Sequence, residues 1–308
     1  MKNVLITGAT SGLGNALAEV LLQKNQRVII AGRNADKLNE VKESLAYEGE
    51  EGALETLHLD LTSFASIHEA VHNLAHAPDA LVCNAAVAYE SEARFTEDGF
   101  EETFQVNYLS HFLLTQLLLK KFPRSLKRII LVSSNAHDPA KTKGFFPSPH
   151  FKEFTEMAYE RKPYYNNTRR QGALRYVHSK LCEVMFTYEL HRRLRDEEAN
   201  DSIKINAFHP GFIPTTGLAR ETSELNKFIL KYIMPGMKLF ISEITTAEDA
   251  AEKMVPLILH SPSTGKYFHG PKPVASSMLS YKQELWADLW KHSLEWTGLT
   301  QKDTIFEM

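Results

Sequence analysis

Tyr176 and Lys180 form the pair of side chains with the clearest capacity for chemistry in this 308-residue sequence. They lie four positions apart in the stretch YVHSK, which has a helical pattern, so both side chains face the same side of the helix. A phenol, with a pKa of about 10, is a poor proton donor or acceptor at neutral pH, but a neighbouring ammonium favours the phenolate. Of the eleven tyrosines, Tyr176 is the one with a lysine four positions later. The pair therefore predicts proton transfer to or from an oxygen atom, with Lys180 lowering the pKa of Tyr176.

Short apolar, β-branched segments alternate with longer amphipathic segments along most of the chain. The predicted strands are 3–7, 27–32, 54–60, 79–84, 127–134 and 202–211, with a weaker seventh at 265–268. The alternation predicts an α/β fold, a single doubly wound (Rossmann) domain over 1–308 with a parallel sheet of about seven strands and helices on both faces. Two segments interrupt it, at about 140–172 and about 212–246, and we interpret them as a substrate-loop insertion and a lid.

Three glycines, Gly8, Gly12 and Gly14, follow the first predicted strand and precede a helical pattern. Glycine lets the backbone turn tightly and approach a pyrophosphate, and the N-terminus of the next helix offers free N–H groups to the anion. Because strand and helix flank the glycines in the required order, they predict a dinucleotide site. The alternative is an ordinary strand–helix turn.

Arg33 follows the second strand, at the end where dinucleotide-binding folds contact the adenosine ribose. An acidic residue at this place would bind a ribose 2′-hydroxyl, whereas an arginine accommodates a 2′-phosphate. Since no carboxylate follows Gly32 directly, the sequence predicts NADP(H) rather than NAD(H). The alternative is a solvated surface arginine.

The glycine pattern, Asn84, Asn107, a serine before the insertion and YVHSK together resemble the short-chain dehydrogenase/reductase family over roughly residues 1–270. Several stretches, including FTEDGFE, VNYLSHFLLT and HPGFIPTTGLAR, are similar to its branch of retinol dehydrogenases and light-dependent protochlorophyllide reductases. The resemblance implies an enzyme that moves a hydride between a nicotinamide and a carbonyl or alcohol.

The sequence departs from the family pattern at a few positions. In CNAAV, Cys83 and Ala86 stand where the family usually has Asn and Gly. Phe212 and Ser134 stand where protochlorophyllide reductases typically have Cys and Thr, which counts against pigment photoreduction.

The resemblance also implies roles for individual residues. Ser134 is the hydrogen-bond donor to the substrate oxygen, with Ser133 as the alternative since neighbouring strand residues face opposite sides. Asn107 holds a water that joins Lys180 to solvent, and Lys180 also binds the nicotinamide ribose. Cofactor contacts fall on Gly8, Ser11, Gly12, Leu13, Gly14, Arg33, Asp60, Leu61, Asn84, Ala85, Tyr176, Lys180, Pro210, Gly211, Ile213 and Thr215.

The insertion is rich in aromatic residues, which suggests a large, apolar or flat substrate. They include Phe145, Phe146, Phe151, Phe154, Tyr164 and Tyr165. Two further hypotheses remain beside a carbonyl reductase or alcohol dehydrogenase. They are a pigment C=C reductase and a non-catalytic NADP(H)-binding sensor on the same fold.

The net charge and the cysteine content indicate which kinds of partner and compartment to expect. A net charge of −3 gives no reason to expect a nucleic-acid partner, and two distant cysteines predict a reducing, cytoplasmic setting without a metal site. The histidines at 68, 72 and 76 are interpreted as one solvated helix face. The apolar segment 228–241 is interpreted as part of a lid, with peripheral contact with a membrane as the alternative, and a homodimer is left open.

Overall fold

A computed structural model of the chain describes residues 2–45, 52–150, 158, 168–196, 202–213 and 244–306. Within these ranges the backbone forms an eight-stranded sheet. The strands are β1 Asn3–Thr7, β2 Arg27–Gly32, β3 Leu54–His58, β4 Ala80–Cys83, β5 Arg128–Val132, β6 Lys204–His209, β7 Lys266–His269 and β8 Lys272–Val274.

The strand order is β3-β2-β1-β4-β5-β6-β7-β8, and every pair is parallel except β7 with β8. The order reverses between β1 and β4, so the crevice beyond their carboxyl ends is the place where such sheets bind ligands. The prediction of a doubly wound α/β domain is confirmed. The sequence predicted about seven strands, and the additional β8 is a three-residue antiparallel edge strand.

The helices of the described residues lie between and after these strands. They are α1 Gly12–Gln23, α2 Ala35–Leu45, α3 Phe64–Asn73, α4 Glu102–Phe104, α5 Ser110–Lys121, α6 Pro139–Thr142, α7 Arg169–Asp196, α8 Ala247–Leu259 and α9 Gln283–Trp296. A π-helical turn, Gln105–Leu109, joins α4 to α5. Such turns are rare and often mark functional sites, and this one carries Asn107.

Two hydrophobic layers enclose the sheet. On one face, buried side chains of α1, α2 and α8 pack against Val4, Ile30 and Val132 of the strands. On the other face, α3, α5, α7 and α9 bury their apolar side chains against residues that include Leu5 and Ile129. Each central strand is therefore covered on both sides, which explains its continuous apolar sequence.

The last helix, α9, packs on α5 and α7 through a cluster of aromatic rings. The ring of Trp290 lies 5.2 Å from Phe112 and 6.1 Å from Phe186, measured between centroids. The hydroxyl of Tyr108 lies 2.6 Å from Ser293 Oγ, which ties α9 to the π-helical turn. The C-terminal helix α9 thus packs against the π-helical turn, which carries Asn107, and against α7, which carries Tyr176.

Most of the two interrupting segments falls outside the described residues. For the insertion at 140–172, the structure describes 140–150, 158 and 168–172, and for the lid at 212–246 it describes 212–213 and 244–246. Their functions stay predictions. Within the described part of the chain, no helix is both long enough and apolar enough to cross a bilayer.

Candidate functional site

The loop between β1 and α1 has the backbone that a bound pyrophosphate requires. Gly8 and Gly12 have φ angles of 66° and 57°, values that residues with a Cβ rarely adopt. A Cβ at Gly14 would lie 2.6 Å from the backbone oxygen of Gly8 and 2.6 Å from Asn84 Nδ2, so there is no room for a side chain. The loop leads into the N-terminus of α1, with Ser11 as its N-cap and Leu13 buried inside the first turn. These residues fit a dinucleotide phosphate.

Asn84 connects this loop to the end of β4. Its side-chain amide donates to the backbone oxygens of Thr7, at 2.9 Å, and Gly8, at 3.3 Å. In return, the Thr7 hydroxyl oxygen accepts from the backbone N–H groups of Asn84 and Ala85, at 2.9 and 3.0 Å. The two strand ends on either side of the crevice are therefore fixed to each other at the level of the predicted cofactor contacts.

Tyr176 and Lys180 both lie on α7, and the Nζ atom of Lys180 is 5.7 Å from the centroid of the Tyr176 ring. The lysine is buried, and its Nζ donates to the backbone oxygen of Val132 and to Glu183 Oε1, both at 2.8 Å. The lysine thus reaches from α7 to the end of β5, where the two candidate serines follow.

Three neighbours and burial act on the pKa of Tyr176. Burial raises that pKa and is the largest effect, whereas the Lys180 ammonium lowers it, the Glu183 carboxylate raises it and a hydrogen bond from Ser134 lowers it. The expected action of Lys180 is present, although in the protein alone burial outweighs the ammonium and the pKa is raised. The lowering that Lys180 and a bound nicotinamide would produce together stays a prediction. A phenol whose pKa is raised carries its proton at neutral pH, which suits a proton donor.

The structure places the two serines after β5 in different surroundings. Ser133 is buried, and its hydroxyl donates to the backbone oxygen of Lys180 at 2.8 Å. Ser134 is partly exposed, accepts from the Ala136 backbone N–H at 3.1 Å and acts to lower the pKa of Tyr176. Of the two serines, Ser134 is the one that acts on the pKa of Tyr176, and its expected role as donor to the substrate oxygen stays a prediction.

Asn107 is fully buried and links the loop after β4 to α7. Its side chain accepts from the Val87 N–H at 2.8 Å and donates to Val87 O at 3.0 Å and Ser179 Oγ at 2.9 Å. Ser179 in turn donates to the backbone oxygen of Tyr176 at 2.8 Å. These bonds give Asn107 a positioning role, and the predicted water between it and Lys180 stays a prediction.

His111 is a site residue that the sequence did not single out. Its Nδ1 lies 2.9 Å from the backbone oxygen of Asn107 and its Nε2 lies 2.9 Å from the Thr7 hydroxyl. Burial lowers the pKa of His111 to about 4, so the neutral ring donates from one nitrogen and accepts at the other. The ring thereby joins the glycine loop to the π-helical turn. Its position one turn after Asn107 was the available signal.

The structure also contains a buried ion pair that the sequence did not predict. Arg175 Nε lies 3.3 Å from Glu101 Oε1, and both side chains are 1% exposed. Arg175 also donates to the backbone oxygen of Ser91 at 3.0 Å, while Glu101 accepts from the Phe104 N–H at 2.8 Å. The pair fastens the segment after β4 to α7 at the residue next to Tyr176.

The remaining predicted cofactor residues lie along the carboxyl edge of the sheet. Arg33 is exposed directly after β2, and Asp60 follows β3, where its Oδ1 accepts from the backbone N–H and hydroxyl of Thr62. Leu61 is buried, and its backbone oxygen accepts from Ser110 at 2.6 Å. Past β6 come Pro210, Gly211 and Ile213, of which Ile213 is buried, and Thr215 lies outside the described residues.

Comparison with known proteins agrees with this arrangement. Residues 2–144 match the family model described as short chain dehydrogenase. The chain is 34% identical to retinol dehydrogenase 13 of Mus musculus over 304 residues, which cover 97% of this chain and 84% of that protein. It is 32% identical to the chloroplastic protochlorophyllide reductase of Cucumis sativus over 299 residues, which cover 92% of this chain and 73% of that protein.

Solved structures show the same fold. A putative uncharacterized protein from Mycobacterium paratuberculosis aligns with a TM-score of 0.73 at 26% identity, over 100% of this chain and 96% of that one. A variant of actinorhodin polyketide ketoreductase, solved with NADPH, aligns with a TM-score of 0.61 at 21% identity, over 87% of this chain and 95% of that one. The protein therefore belongs to the short-chain dehydrogenase/reductase family, in the branch of the retinol dehydrogenases and protochlorophyllide reductases.

Proposed function

We propose that the protein is an NADP(H)-dependent oxidoreductase that interconverts a carbonyl compound and an alcohol, and that its substrate is large and apolar or aromatic. The observation that carries this proposal is that Ser134, Tyr176 and Lys180 come together at the carboxyl end of β5, on the same edge of the sheet as the glycine loop. The similarity of the chain to a retinol dehydrogenase supports the same reaction class.

In the proposed reaction, the protein's own groups handle the proton. Tyr176 donates its phenolic proton to the substrate oxygen during reduction, and Ser134 holds that oxygen with a hydrogen bond. Lys180 stabilises the phenolate that forms, because its ammonium is close to the ring. The bound nicotinamide supplies the hydride. Gly8, Gly12, Gly14 and the α1 N-terminus would hold its pyrophosphate, and Asn84 and Ala85 would line the crevice beside it.

The described part of the insertion supports an apolar substrate. The ring of Phe146 lies 6.4 Å from that of Tyr176, and Phe145, which stacks edge-on against Phe146, is 85% exposed. Large exposed aromatic rings beside a reacting group are suited to a flat or aliphatic ligand. The other five aromatic residues of the insertion, Phe151, Phe154, Tyr159, Tyr164 and Tyr165, lie outside the described residues.

A screen of aldehydes, ketones and alcohols tests the reaction class. With NADPH as reductant, we expect a fall in its absorbance with at least one retinoid, steroid, lipid or aromatic carbonyl in the dark. Turnover restricted to an illuminated pigment would instead favour a C=C reductase, which the 32% identity to a protochlorophyllide reductase supports. Tight NADPH binding without turnover of any compound would favour a non-catalytic sensor.

Cofactor choice depends on Arg33 in this proposal. The guanidinium would bind a ribose 2′-phosphate, so Arg33→Asp is expected to raise the KM for NADPH by about 10- to 100-fold, the value of a lost hydrogen bond to a charged group. The KM for NADH should change far less. Arg27→Asp, at the other end of β2, is the matched control because it makes the same charge change away from the crevice. Equal effects of Arg33→Asp on both cofactors would contradict the assignment.

A cytoplasmic location is part of the same proposal. Cys83 and Cys182 are both buried as free thiols, which is compatible with a reducing compartment.

A further inference from the structure

Glu183 lies one helical turn after Lys180 on α7 and is 1% exposed. Its Oε1 accepts from Lys180 Nζ at 2.8 Å, and its Oε2 has no hydrogen-bond partner among the described residues. A second bond, from the same Nζ to Val132 O, also measures 2.8 Å. The ammonium is therefore held from two sides, by a strand carbonyl and by a carboxylate. Its Nζ atom lies 5.7 Å from the centroid of the Tyr176 ring, so its charge acts on the phenol.

The carboxylate and the ammonium act on Tyr176 in opposite directions. The charge of Lys180 lowers the pKa of the phenol, whereas the charge of Glu183 raises it. Because both charged side chains are buried, bulk water screens their charges less than it would at the surface. The net stabilisation that the phenolate receives thus depends on how much of the lysine charge the glutamate cancels.

We propose that Glu183 is a positioning residue that holds the Lys180 ammonium in an internal ion pair and weakens its electrostatic effect on the phenol of Tyr176. This inference rests on the proposed function, in which Tyr176 transfers the proton. Glu183 does not contact the reacting atoms, and it acts through the lysine.

The other titratable groups that face this pair stay neutral near pH 7. Burial lowers the pKa of His111 on α5 to about 4 and that of His209 on β6 to about 3. Burial raises the pKa of the thiols of Cys83, on β4, and Cys182, on α7, and of the phenol of Tyr267, on β7. Among these groups of the described structure, Glu183 is the one that titrates near neutrality.

The charge state of Glu183 then sets how strongly Lys180 acts. Burial raises the pKa of its carboxyl to about 7, against the opposing effect of Lys180. Below this pH the carboxyl is neutral and the lysine charge acts in full on Tyr176. Above it the carboxylate forms and the phenol becomes harder to deprotonate. Because Glu183 is ionised throughout the range in which Tyr176 titrates, it shifts the midpoint of that titration upward.

Titration of Tyr176 in the cofactor-free protein tests the proposal without any substrate. Tyrosinate absorbance is followed against pH, and the curve of Tyr176→Phe is subtracted to isolate this tyrosine from the other ten of the eleven. Glu183→Gln, which keeps the shape but removes the charge, is expected to lower the midpoint by about one pH unit. Glu183→Asp, which keeps the charge one methylene farther from Lys180, should shift it in the same direction by less. The same order should appear in the pH dependence of kcat/KM for alcohol oxidation.

Glu189→Gln is the matched control, because Glu189 is also a buried carboxylate of α7 but pairs with Arg192 and Arg193. An unchanged midpoint in folded Glu183→Gln, or an equal shift in Glu189→Gln, would overturn the proposal. If Glu183→Gln does not fold, an upward shift or no shift in Glu183→Asp overturns it instead. A screen that finds no substrate would count against the proposed function and leave this titration unaffected.

Discussion

Replacing Tyr176 with phenylalanine is expected to reduce kcat by about 10²- to 10⁴-fold, the contribution of a positioned acid or base. The substitution removes one oxygen atom and keeps the ring beside Phe146. Without the phenol, the proton donor of the proposed reaction is missing. NADPH affinity, measured by the fluorescence of the bound cofactor, should stay within about twofold, since Lys180 and the glycine loop are unchanged.

Tyr188→Phe provides the control for this experiment. Tyr188 is a buried tyrosine on the same helix, and its hydroxyl bonds Ser276 Oγ at 2.6 Å. Its loss should lower the free energy of unfolding by about 1 kcal/mol, as for an ordinary hydrogen bond, and leave kcat nearly unchanged. If Tyr176→Phe keeps more than a tenth of the wild-type kcat, Tyr176 is not the proton donor.

Mild acid is expected to destabilise the protein strongly, because four histidines are buried in their neutral form. Burial lowers the pKa of His111 and of His137 to about 4, and that of His178 and of His209 to about 3. In the unfolded chain each would titrate near its ordinary value of about 6.5. A group whose pKa is lower in the folded state stabilises the fold fully above the unfolded pKa. That stability is lost as the pH falls from about 6.5 towards 3–4.

The size of this effect is comparable to the stability of a whole domain. At pH 5 each histidine would bind a proton in the unfolded chain but not in the fold, a loss of roughly 2 kcal/mol each and about 8 kcal/mol for the four. Glu183 acts in the opposite direction, because its pKa is raised to about 7 and its carboxyl becomes neutral in the fold first. Its contribution offsets roughly 2 kcal/mol over the same pH range. The remaining loss of about 6 kcal/mol lies within the usual total of about 5–15 kcal/mol.

Urea unfolding followed by tryptophan fluorescence at several pH values measures this loss. Between pH 6 and 5 the free energy of unfolding should fall by several kcal/mol. His178→Gln removes one of the groups that take up a proton on unfolding, so the dependence of this free energy on pH should decrease by ~1.4 kcal/mol per pH unit. His72→Gln, an exposed histidine of α3, controls for the removal of a surface histidine. A free energy of unfolding that is constant from pH 7 to 5 would contradict neutral burial of the four rings.

Local sequence patterns were sufficient to predict most of the fold. Strands β1 to β6 lie within the predicted segments. The central strands, such as β1, β4 and β5, are apolar runs that the sheet buries on both faces, whereas β3 is a partly exposed edge strand. Helices α8 and α9 were not predicted. In α8, Pro256 lies inside the helix, where a proline usually indicates an end, although Thr246 caps the helix by accepting from the Asp249 N–H at 3.1 Å. The β8 edge strand has three residues, too few for a periodic signal.

The candidate site divides in a similar way. Gly8, Gly12, Gly14, Tyr176 and Lys180 could be identified from the sequence because each belongs to a local pattern of fixed spacing. The sequence did not identify partners that come together only through the fold, such as Arg175 with Glu101 and His111 with Thr7, which are 74 and 104 positions apart. Whether burial or Lys180 dominates the pKa of Tyr176 also depends on the packed structure. The spacing of the two residues in the sequence does not show how far the phenol is removed from water.

The packing of α9 over α5 and α7 makes the support of the site independent of protein concentration. Trp290 and Ser293 belong to the same chain as the rings and hydroxyl that they contact, so dilution cannot separate them as it would separate two subunits. The free energy that keeps the π-helical turn against α7 is therefore available to a single molecule at any dilution. Dilution in an assay therefore leaves these contacts of α9 with the two helices in place.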